Sequence, residues 1–151
     1  MELRDVTPAD DGELAGALLL VQHAAYAVEA ALIGDDRIPP LHEDLDDLRN
    51  APLLWLAAFI GDALVGAVAW TEDGAVVDID RLVVAPDAQR QGVGSALVRA
   101  VLRRAAGRPT TVSTGRENTP ARRRYERLGF TFAGGEEVIP GLWITRYVHP
   151  S

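Results

Sequence analysis

Three consecutive segments with strand character, followed by a predicted helix, constrain the fold of this chain more than any other feature. The segments are Leu53 to Ile60, Ala63 to Trp70 and Ala75 to Val84, and each is rich in apolar and β-branched residues. Gly61-Asp62 and Thr71 to Gly74 separate them, and both connections are short enough to be hairpin turns. The spacing therefore predicts an antiparallel meander.

Strand and helix patterns alternate on both sides of this meander. Leu3 to Val6 is a predicted first strand, and Thr7-Pro8 predicts an N-cap followed by proline at the first helical position. Apolar residues at helical spacing continue from Leu14 to Leu32, and that helix is expected to end near Gly34. The other predicted elements are a helix from about His42 to Arg49, a helix from about Gly92 to Ala106, a strand from Thr110 to Thr114, a helix from about Thr119 to Leu128, and strands from Phe130 and from Leu142 to Val148.

The resulting order is βααβββαβαββ. It predicts an α/β (α+β) fold with a mixed, mostly antiparallel central sheet flanked by helices. A chain of 151 residues that is 48% hydrophobic can bury a core of its own. Residues 1–151 are therefore expected to form a single domain.

Composition excludes several kinds of chemistry. The chain has no cysteine, so disulfides, thiolate metal sites and a cysteine-linked acyl-enzyme are not expected, and its three histidines are scattered. No run approaches the roughly 18 uncharged apolar residues that a membrane span requires. The N-terminal residues also lack the basic start of a signal peptide. These features predict a cytoplasmic protein without a metal and without membrane association.

Charge is distributed unevenly along the chain. All 15 basic residues are arginines, and the stretch from Arg81 to Arg127 holds eleven of them with three acids, a net charge of +8. The remainder has four arginines and 19 acids, a net charge of -15. Such a basic stretch suits a phosphorylated ligand. Nucleic acid is not expected, because few aromatic residues accompany the arginines, and most of these are interpreted as solvated helix faces.

A glycine-rich loop lies where the third meander strand passes into the next helix. Its sequence, Gln89-Arg90-Gln91-Gly92-Val93-Gly94, places two glycines one residue apart at a helix N-terminus, where free N–H groups can bind an anion. An ordinary tight turn explains the glycines equally well. Neither the phosphate-loop pattern nor the dinucleotide fingerprint is present, because no Gly-Lys-Ser/Thr and no third glycine follow at the required spacing.

Two motifs in order resemble those of the GCN5-related N-acetyltransferase (GNAT) superfamily. In the first, Val84-Ala85-Pro86 is followed by Q-x-x-G-x-G from Gln89 to Gly94. The second has the form N-x-x-A-x-x-x-Y-x-x-x-G-F. Its positions are occupied by Asn118, Ala121, Tyr125, Gly129 and Phe130. The resemblance covers about residues 75 to 132.

This resemblance implies that the chain uses acetyl-coenzyme A as a cosubstrate. The loop would hold the pyrophosphate, the preceding strand would contact the pantetheine arm, and an N–H near Val84 would stabilise the oxyanion. The sheet would splay at this point. The implied cofactor-binding residues are Leu82, Val83, Val84, Gln89, Arg90, Gln91, Gly92, Val93, Gly94, Ser95, Asn118 and Tyr125.

Tyr125 has the implied role of protonating the departing thiolate. A phenol with a usual pKa of about 10 stays protonated at neutral pH, as this role requires. Asn118 lies seven residues earlier, roughly 10 Å along a helix axis and on the same face. Without the motif, the residues would be interpreted as a core tyrosine and a helix cap beside Thr119-Pro120.

The general base is less constrained by the sequence. Asp78 and Asp80 would share one strand face by the period of two, and each could accept a proton from an ammonium group. Both could instead be solvated or paired with Arg81. Glu29 and Glu43 are further candidates, since they belong to the region that forms the acceptor wall in this family. Tyr26, Glu29 and Ile33 are expected to contact the acceptor substrate.

The acid-rich part of the chain favours a cationic acceptor, so the expected acceptor is a small amine, an amino acid derivative or a peptide N-terminus. Without cysteine, and with Ser95 lacking an adjacent base, direct transfer in a ternary complex is expected. A catalytically silent module that binds acyl-coenzyme A is the alternative. A homodimer remains open.

Overall fold

The computed structural model describes residues 1–150, and its strands and helices follow the predicted order βααβββαβαββ. The strands are β1 (Glu2–Val6), β2 (Leu54–Ile60), β3 (Ala63–Glu72), β4 (Val77–Val84), β5 (Thr110–Gly115), β6 (Thr131–Ile139) and β7 (Leu142–His149). The helices are α1 (Gly12–Ile33), α2 (Leu45–Asn50), α3 (Val93–Ala105) and α4 (Thr119–Arg127). The prediction of a mixed, mostly antiparallel sheet flanked by helices is confirmed.

The seven strands form one sheet in the order β1-β2-β3-β4-β5-β7-β6. Every neighbouring pair is antiparallel except β4 and β5, which are parallel. Each face of the sheet has its own apolar core. Helices α3 and α4 cover one face, where Leu97, Val98 and Tyr125 are buried, and α1 and α2 cover the other, where Leu18 and Leu48 are buried.

The parallel pair β4–β5 is short, and this shortness creates the space for the site. The two strands pair only at Val77 to Ile79 opposite Thr110 to Val112. Beyond these residues β4 continues to Val84 along β3 and β5 continues to Gly115 along β7, but β4 and β5 no longer pair with each other. The sheet therefore opens between the two strands, as the family resemblance implied.

A bulge interrupts β4 just before this opening. In the register with β3, Ala69 lies opposite Arg81 and Trp70 lies opposite Ile79, which leaves Asp80 without an opposite residue. Bulges bend a strand and redirect its side chains. The alternation of side chains between the two faces of the strand is therefore interrupted between Asp78 and Asp80. The prediction that both carboxylates lie on one face did not allow for this bulge.

The start of α1 differs from the prediction. Thr7 makes no cap hydrogen bond, and Pro8 begins a separate 3₁₀ turn. Asp11 is the N-cap instead, because its Oδ1 accepts a hydrogen bond from the N–H of Leu14 at 3.1 Å. The helix ends as predicted at Gly34, which is in the left-handed conformation.

Helix α2 also begins later than predicted. His42 belongs to the 3₁₀ turn Pro39–His42, and α2 starts at Leu45. Asp44 and Asp47 exchange side-chain to backbone hydrogen bonds of 2.8 and 3.0 Å, a reciprocal capping box.

Helix α1 is long and apolar enough to cross a membrane by length and composition. The count of uncharged apolar residues did not single out this helix, because Glu13 and Glu29 interrupt its apolar run. A signal sequence or the core helix of a soluble protein meets the same criterion, so one such helix is weak evidence for a membrane span. Of this helix only Ala15, Leu18 and Gln22 are buried, whereas Leu20, Val28 and Leu32 are exposed.

Candidate active site

A cavity of about 1050 Å³ occupies the opening between β4 and β5. Its walls come from the second half of α1 and the loop after it, from β4 and β5, from the N-terminus of α3, from α4 and from the β6–β7 hairpin. Most of the residues predicted for the site reach this cavity from distant parts of the sequence.

The N-terminus of α3 forms one end of the cavity. Gly92 caps this helix in the left-handed conformation (φ +77°), and no side chain supplies a cap. The N–H groups of Val93, Gly94 and Ser95 make no hydrogen bond within residues 1–150. Free N–H groups and the positive end of the helix dipole favour an anion here.

Four of the arginines that line the cavity lie in the loop before α3 or on α4, and two of the four lie at this end, Arg90 in that loop and Arg124 beside Gly94. Within residues 1–150 their guanidinium groups make no hydrogen bond or ion pair, although the chain has 22 acidic residues. They are Arg90, Arg123, Arg124 and Arg127. The guanidinium of Arg124 lies across Gly94, where an added Cβ would approach its Cζ to 3.0 Å. This end of the cavity thus carries unneutralised positive charge beside the free N–H groups, and together with the arginines of α4 we call it the cofactor half.

Most of the residues that the resemblance assigned to the cofactor line this cavity. Those in contact with it are Leu82, Val84, Gln89, Arg90, Gly92, Val93, Gly94, Ser95, Asn118 and Tyr125. Val83 and Gln91 do not line it, and Val83 is buried in the core beneath α1. Gln89 also holds the end of β4, because its Nε2 donates to the carbonyl of Val84 at 3.3 Å.

Tyr125 is both a core residue and a cavity residue. Its ring packs edge-to-face on Phe130 with 5.4 Å between centroids, and the residue is only 4% exposed. The hydroxyl makes no hydrogen bond within residues 1–150, yet the side chain lines the cavity. Burial raises the pKa of Tyr125 well above its usual value, an effect that the charge of Arg124 opposes. The phenol therefore remains a proton donor at any physiological pH.

Glu29 joins α1 to the β5–α4 turn. Its Oε1 accepts hydrogen bonds from Thr114 Oγ1 at 3.2 Å, from Asn118 Nδ2 at 3.2 Å and from the N–H of Gly115 at 3.5 Å. The other oxygen, Oε2, has no hydrogen-bond partner within residues 1–150. Asn118 is also the N-cap of α4, since its Oδ1 accepts from the N–H of Ala121 at 3.2 Å. Thus the cap interpretation of Asn118 is correct, and Asn118 lines the cavity as well.

Tyr26 and Ile33 reach the cavity from the same helix face as Glu29. Burial raises the pKa of Tyr26 strongly, and the negative charge of Glu29 adds to this effect. Ile33 packs on Gly115 so closely that an added Cβ there would lie 2.9 Å from its Cγ2.

Arg81 holds two further carboxylates in place. Its Nε donates to Asp80 and its Nη1 to Glu43, each at 2.6 Å, and Nη1 also donates to Gln22 at 3.1 Å. Burial acts to lower the pKa of Arg81, but the bonds to Glu43 and Asp80 outweigh it, so the pKa is raised. Asp80 and Arg81 line the cavity, and Glu43 lies behind them. Glu43 is therefore bound within this ion-pair cluster.

Asp78 lies apart from these groups. It accepts a 2.6 Å hydrogen bond from Thr111 Oγ1 and does not line the cavity. Of the two aspartates proposed as bases, the geometry therefore favours Asp80. Glu29 was only a further candidate for the general base in the sequence. Its position in the cavity favours that role more strongly, because it has an oxygen without a hydrogen bond and Tyr125 is among its neighbours.

The sequence interpretation missed Arg123, Arg124 and Arg127, and treated most helix arginines as solvated faces. A signal was present in the second motif. Residues three or four apart lie on one helical face, so 120, 123, 124 and 127 form a row on the same helix as Tyr125.

Comparison with known proteins identifies the family. A model of the acetyltransferase (GNAT) family matches residues 23–130. The chain is 31% identical over 136 residues to the UPF0157 protein YqkA of Bacillus subtilis (strain 168), covering 89% of this chain and 40% of that protein. It is 37% identical over 93 residues to the peptidyl-lysine N-acetyltransferase YjaB of Salmonella typhimurium, covering 62% of this chain and 59% of that protein. The chain thus spans less than two thirds of the length of either curated relative.

Solved structures show the same fold. The ribosomal-protein-S18-alanine N-acetyltransferase of Escherichia coli superimposes with a TM-score of 0.77 at 16% identity, covering 99% of this chain and 92% of that chain. The family model covers more than half of the chain, and residues of both motifs line the cavity. The chain therefore belongs to the GNAT acetyltransferase family.

Proposed function

We propose that this protein is an N-acetyltransferase that transfers the acetyl group of acetyl-coenzyme A directly to an amine. The observation that carries the proposal is the hydroxyl of Tyr125, which has no hydrogen-bond partner within residues 1–150 and belongs to a residue that lines the same cavity as the N-terminus of α3 and the carboxylates of Glu29 and Asp80. A proton donor thus shares one cavity with groups suited to phosphates and groups suited to a cation.

The cofactor half fits coenzyme A by charge and shape. A diphosphate needs donors that approach closely, and Val93, Gly94 and Ser95 present three free N–H groups beside glycines that add no side chain. The four unpaired arginines of this half match the anionic charge of a cofactor with three phosphates. Acetyl-coenzyme A supplies an activated acetyl group, and the protein positions it.

Three proton transfers would accompany the reaction. The amine must lose a proton before its nitrogen attacks the thioester carbonyl, and Glu29 or Asp80 would accept that proton directly or through water. As the new C–N bond forms and the C–S bond breaks, Tyr125 would donate its proton to the leaving sulfur. The nitrogen, which is positively charged after the attack, would lose its second proton to water, and exchange with solvent would return a proton to Tyr125 and remove one from the carboxylate, so that the net reaction releases one proton.

Charge in the acceptor half supports an amine. We define this half by Glu29, Asp80, Arg81, the loop after α1 and the β6–β7 hairpin. Arg81 is paired with Glu43, and Arg37 of the loop is paired with Asp35, both partners lying outside the cavity lining. Glu29 and Asp80 therefore leave this half net negative, which favours a cationic substrate.

Initial-rate kinetics test the proposal. With acetyl-coenzyme A and an amine varied together, release of free thiol should give intersecting lines, and acetyl-coenzyme A alone should add no acetyl group to the intact mass of the protein. Parallel lines with an acetylated protein would replace direct transfer by a covalent relay. Tight coenzyme A binding without thiol release for any amine would indicate the silent binding module.

We also propose that the protein acts in the cytoplasm. Gln22 and Glu29 of α1 are held by polar partners inside the domain. Insertion of α1 into a membrane would break these contacts and bury the Glu29 carboxylate in lipid, which is costly.

A further inference from the structure

The acceptor half is walled mainly by aliphatic side chains. They come from the end of α1, the loop after it, and both strands of the β6–β7 hairpin. The main ones are Ile33, Ile38, Val138, Ile139, Leu142 and Ile144. Such a wall is the opposite of what a polyhydroxylated or polycationic substrate requires.

This wall is continuous with the position of Glu29. Ile144 on β7 lies opposite Gly115 on β5, and the N–H of Gly115 is one of the donors to Glu29. Ile33, on the other side, packs directly on Gly115. The aliphatic wall therefore begins next to the free carboxylate oxygen and extends outward along the hairpin.

The outer part of the wall is uncovered. Val138 is 44% exposed and Ile139 is 40% exposed, although both line the cavity. Above them the loop after α1 approaches the hairpin, because an added Cβ at Gly141 would lie 3.5 Å from Nη2 of Arg37. A bound molecule between loop and hairpin would remove this apolar surface from water.

We propose that the acceptor is a primary amine carried on an apolar body, with the ammonium group beside Glu29 and Asp80 and the apolar body along the β6–β7 hairpin. This inference rests on the proposed function and adds the class of acceptor to it. The charge of the carboxylates complements one end of such a molecule, and the aliphatic wall complements the other.

The inference predicts discrimination between amines that differ only at the far end. Hexylamine and 1,5-diaminopentane have the same number of heavy atoms and an identical reacting group. Each buried methylene or methyl favours binding about fourfold. A second ammonium against the aliphatic wall would also lose its hydration. We therefore expect kcat/KM for hexylamine to exceed that for the diamine by at least about tenfold.

Ile139→Thr and its matched control Ile60→Thr test whether the hairpin causes this preference. Both isoleucines end a strand before a turn, and they are 40% and 42% exposed, but only Ile139 lines the cavity. Ile139→Thr should reduce the ratio of the two kcat/KM values by at least about threefold, because it removes apolar contact area. Ile60→Thr should leave the ratio unchanged.

Each outcome decides the inference. Thiol release that is equal for the two amines, or faster for the diamine, would overturn the acceptor class and leave the proposed transferase intact. The same holds if both threonine variants change the ratio equally. No thiol release with either amine, or with a peptide that has a leucine N-terminus, would overturn the inference together with the proposed function.

Discussion

The charged side chains in the two halves of the cavity differ in whether they have partners within the protein. In the cofactor half, the guanidinium groups of Arg90, Arg123, Arg124 and Arg127 have no protein partner within residues 1–150. In the acceptor half, Arg81 binds Asp80 and Glu43, and one oxygen of Glu29 takes three donors. Paired charges fix the geometry of the wall, whereas unpaired charges remain available for a ligand. Oε2 of Glu29 is the exception in the acceptor half, because it has no hydrogen-bond partner within residues 1–150, and the proposed proton transfer would use this oxygen.

Tyr125 lies where the halves meet, so its removal should have the largest effect. Tyr125→Phe keeps the ring that packs on Phe130 and deletes the proton donor. Turnover should fall by roughly 10- to 1000-fold while coenzyme A affinity persists. Steady-state rates and calorimetry measure the two quantities.

Tyr147→Phe is the matched control. The Tyr147 hydroxyl is bound by Arg122 and Glu126 outside the cavity, so this variant should keep its turnover. Equal losses in both variants would make Tyr125 a packing residue only.

The direction of the pKa shift of Tyr125 gives a second check of its role as a proton donor. Because burial raises the pKa of Tyr125, wild-type turnover should show no loss of the donor form as pH rises to 10.

Glu29→Gln should have the next largest effect. The amide can still accept the hydrogen bonds made to Oε1, so the wall keeps its geometry while the charge is lost. We expect kcat/KM to fall by about 100-fold, with the greatest loss at low pH, where the amine is most protonated. A pH–rate profile for each variant measures this.

Two aspartate variants test whether Glu29 or one of the aspartates acts as the base. Asp78 lies outside the cavity, so Asp78→Asn should behave like the wild type. Asp80→Asn should lose less activity than Glu29→Gln, because Asp80 and Glu43 share the positive charge of Arg81. If Asp78→Asn loses more activity than Glu29→Gln, the assignment of the acceptor half to Glu29 is wrong.

Substitutions in the glycine loop should affect only the binding of coenzyme A in the cofactor half. Gly92→Val forces a β-branched residue into a left-handed conformation, and Gly94→Val drives a side chain into Arg124. Each should weaken coenzyme A binding by at least about tenfold. Gly74→Val is the control, since Gly74 has a φ of +92° in the β3–β4 turn, away from the cavity. It should lose stability but keep its affinity, and equal affinity losses would show that strain alone causes the effect.

Substitutions of Arg123 and Arg127 test whether these unpaired guanidinium groups bind a phosphate of the cofactor. They are one helical turn apart, so they repel each other unless an anion lies between them. Arg123→Gln and Arg127→Gln should each weaken coenzyme A binding by roughly threefold to tenfold and dephospho-coenzyme A binding by less. Arg103→Gln, on the exposed face of α3, should change neither. A uniform loss for both ligands would place these arginines at the diphosphate instead of at the third phosphate.

Periodicity and motifs predicted the order of elements because both are local properties of the chain. They also located the glycine loop, Tyr125 and Asn118. They could not locate the bulge at Asp80, which depends on the register against β3. They likewise could not rank Glu29, whose three donors lie 85 to 89 residues further along the chain. Arg123, Arg124 and Arg127 were not singled out for the same reason, since nothing local distinguishes a helix face that also lines a cavity from one that does not.

The smallest expected effect concerns Asn118, which joins the halves by capping α4 and donating to Glu29. Asn118→Ala loses both contacts and should lower the free energy of unfolding by about 1 kcal/mol. Asn118→Asp keeps an acceptor for the N–H of Ala121 and gains a favourable charge at a helix N-terminus, so its stability should fall by less. Its new carboxylate faces Glu29, however, and like charges raise the pKa of a carboxyl group. The pH at which kcat/KM reaches half its maximum should therefore move upward in Asn118→Asp, and by less in Asn118→Ala, which removes a donor to Glu29 without adding a negative charge. Thermal unfolding and pH–rate profiles of the two variants provide these measurements, and identical profiles would show that activity does not depend on the charge of Glu29.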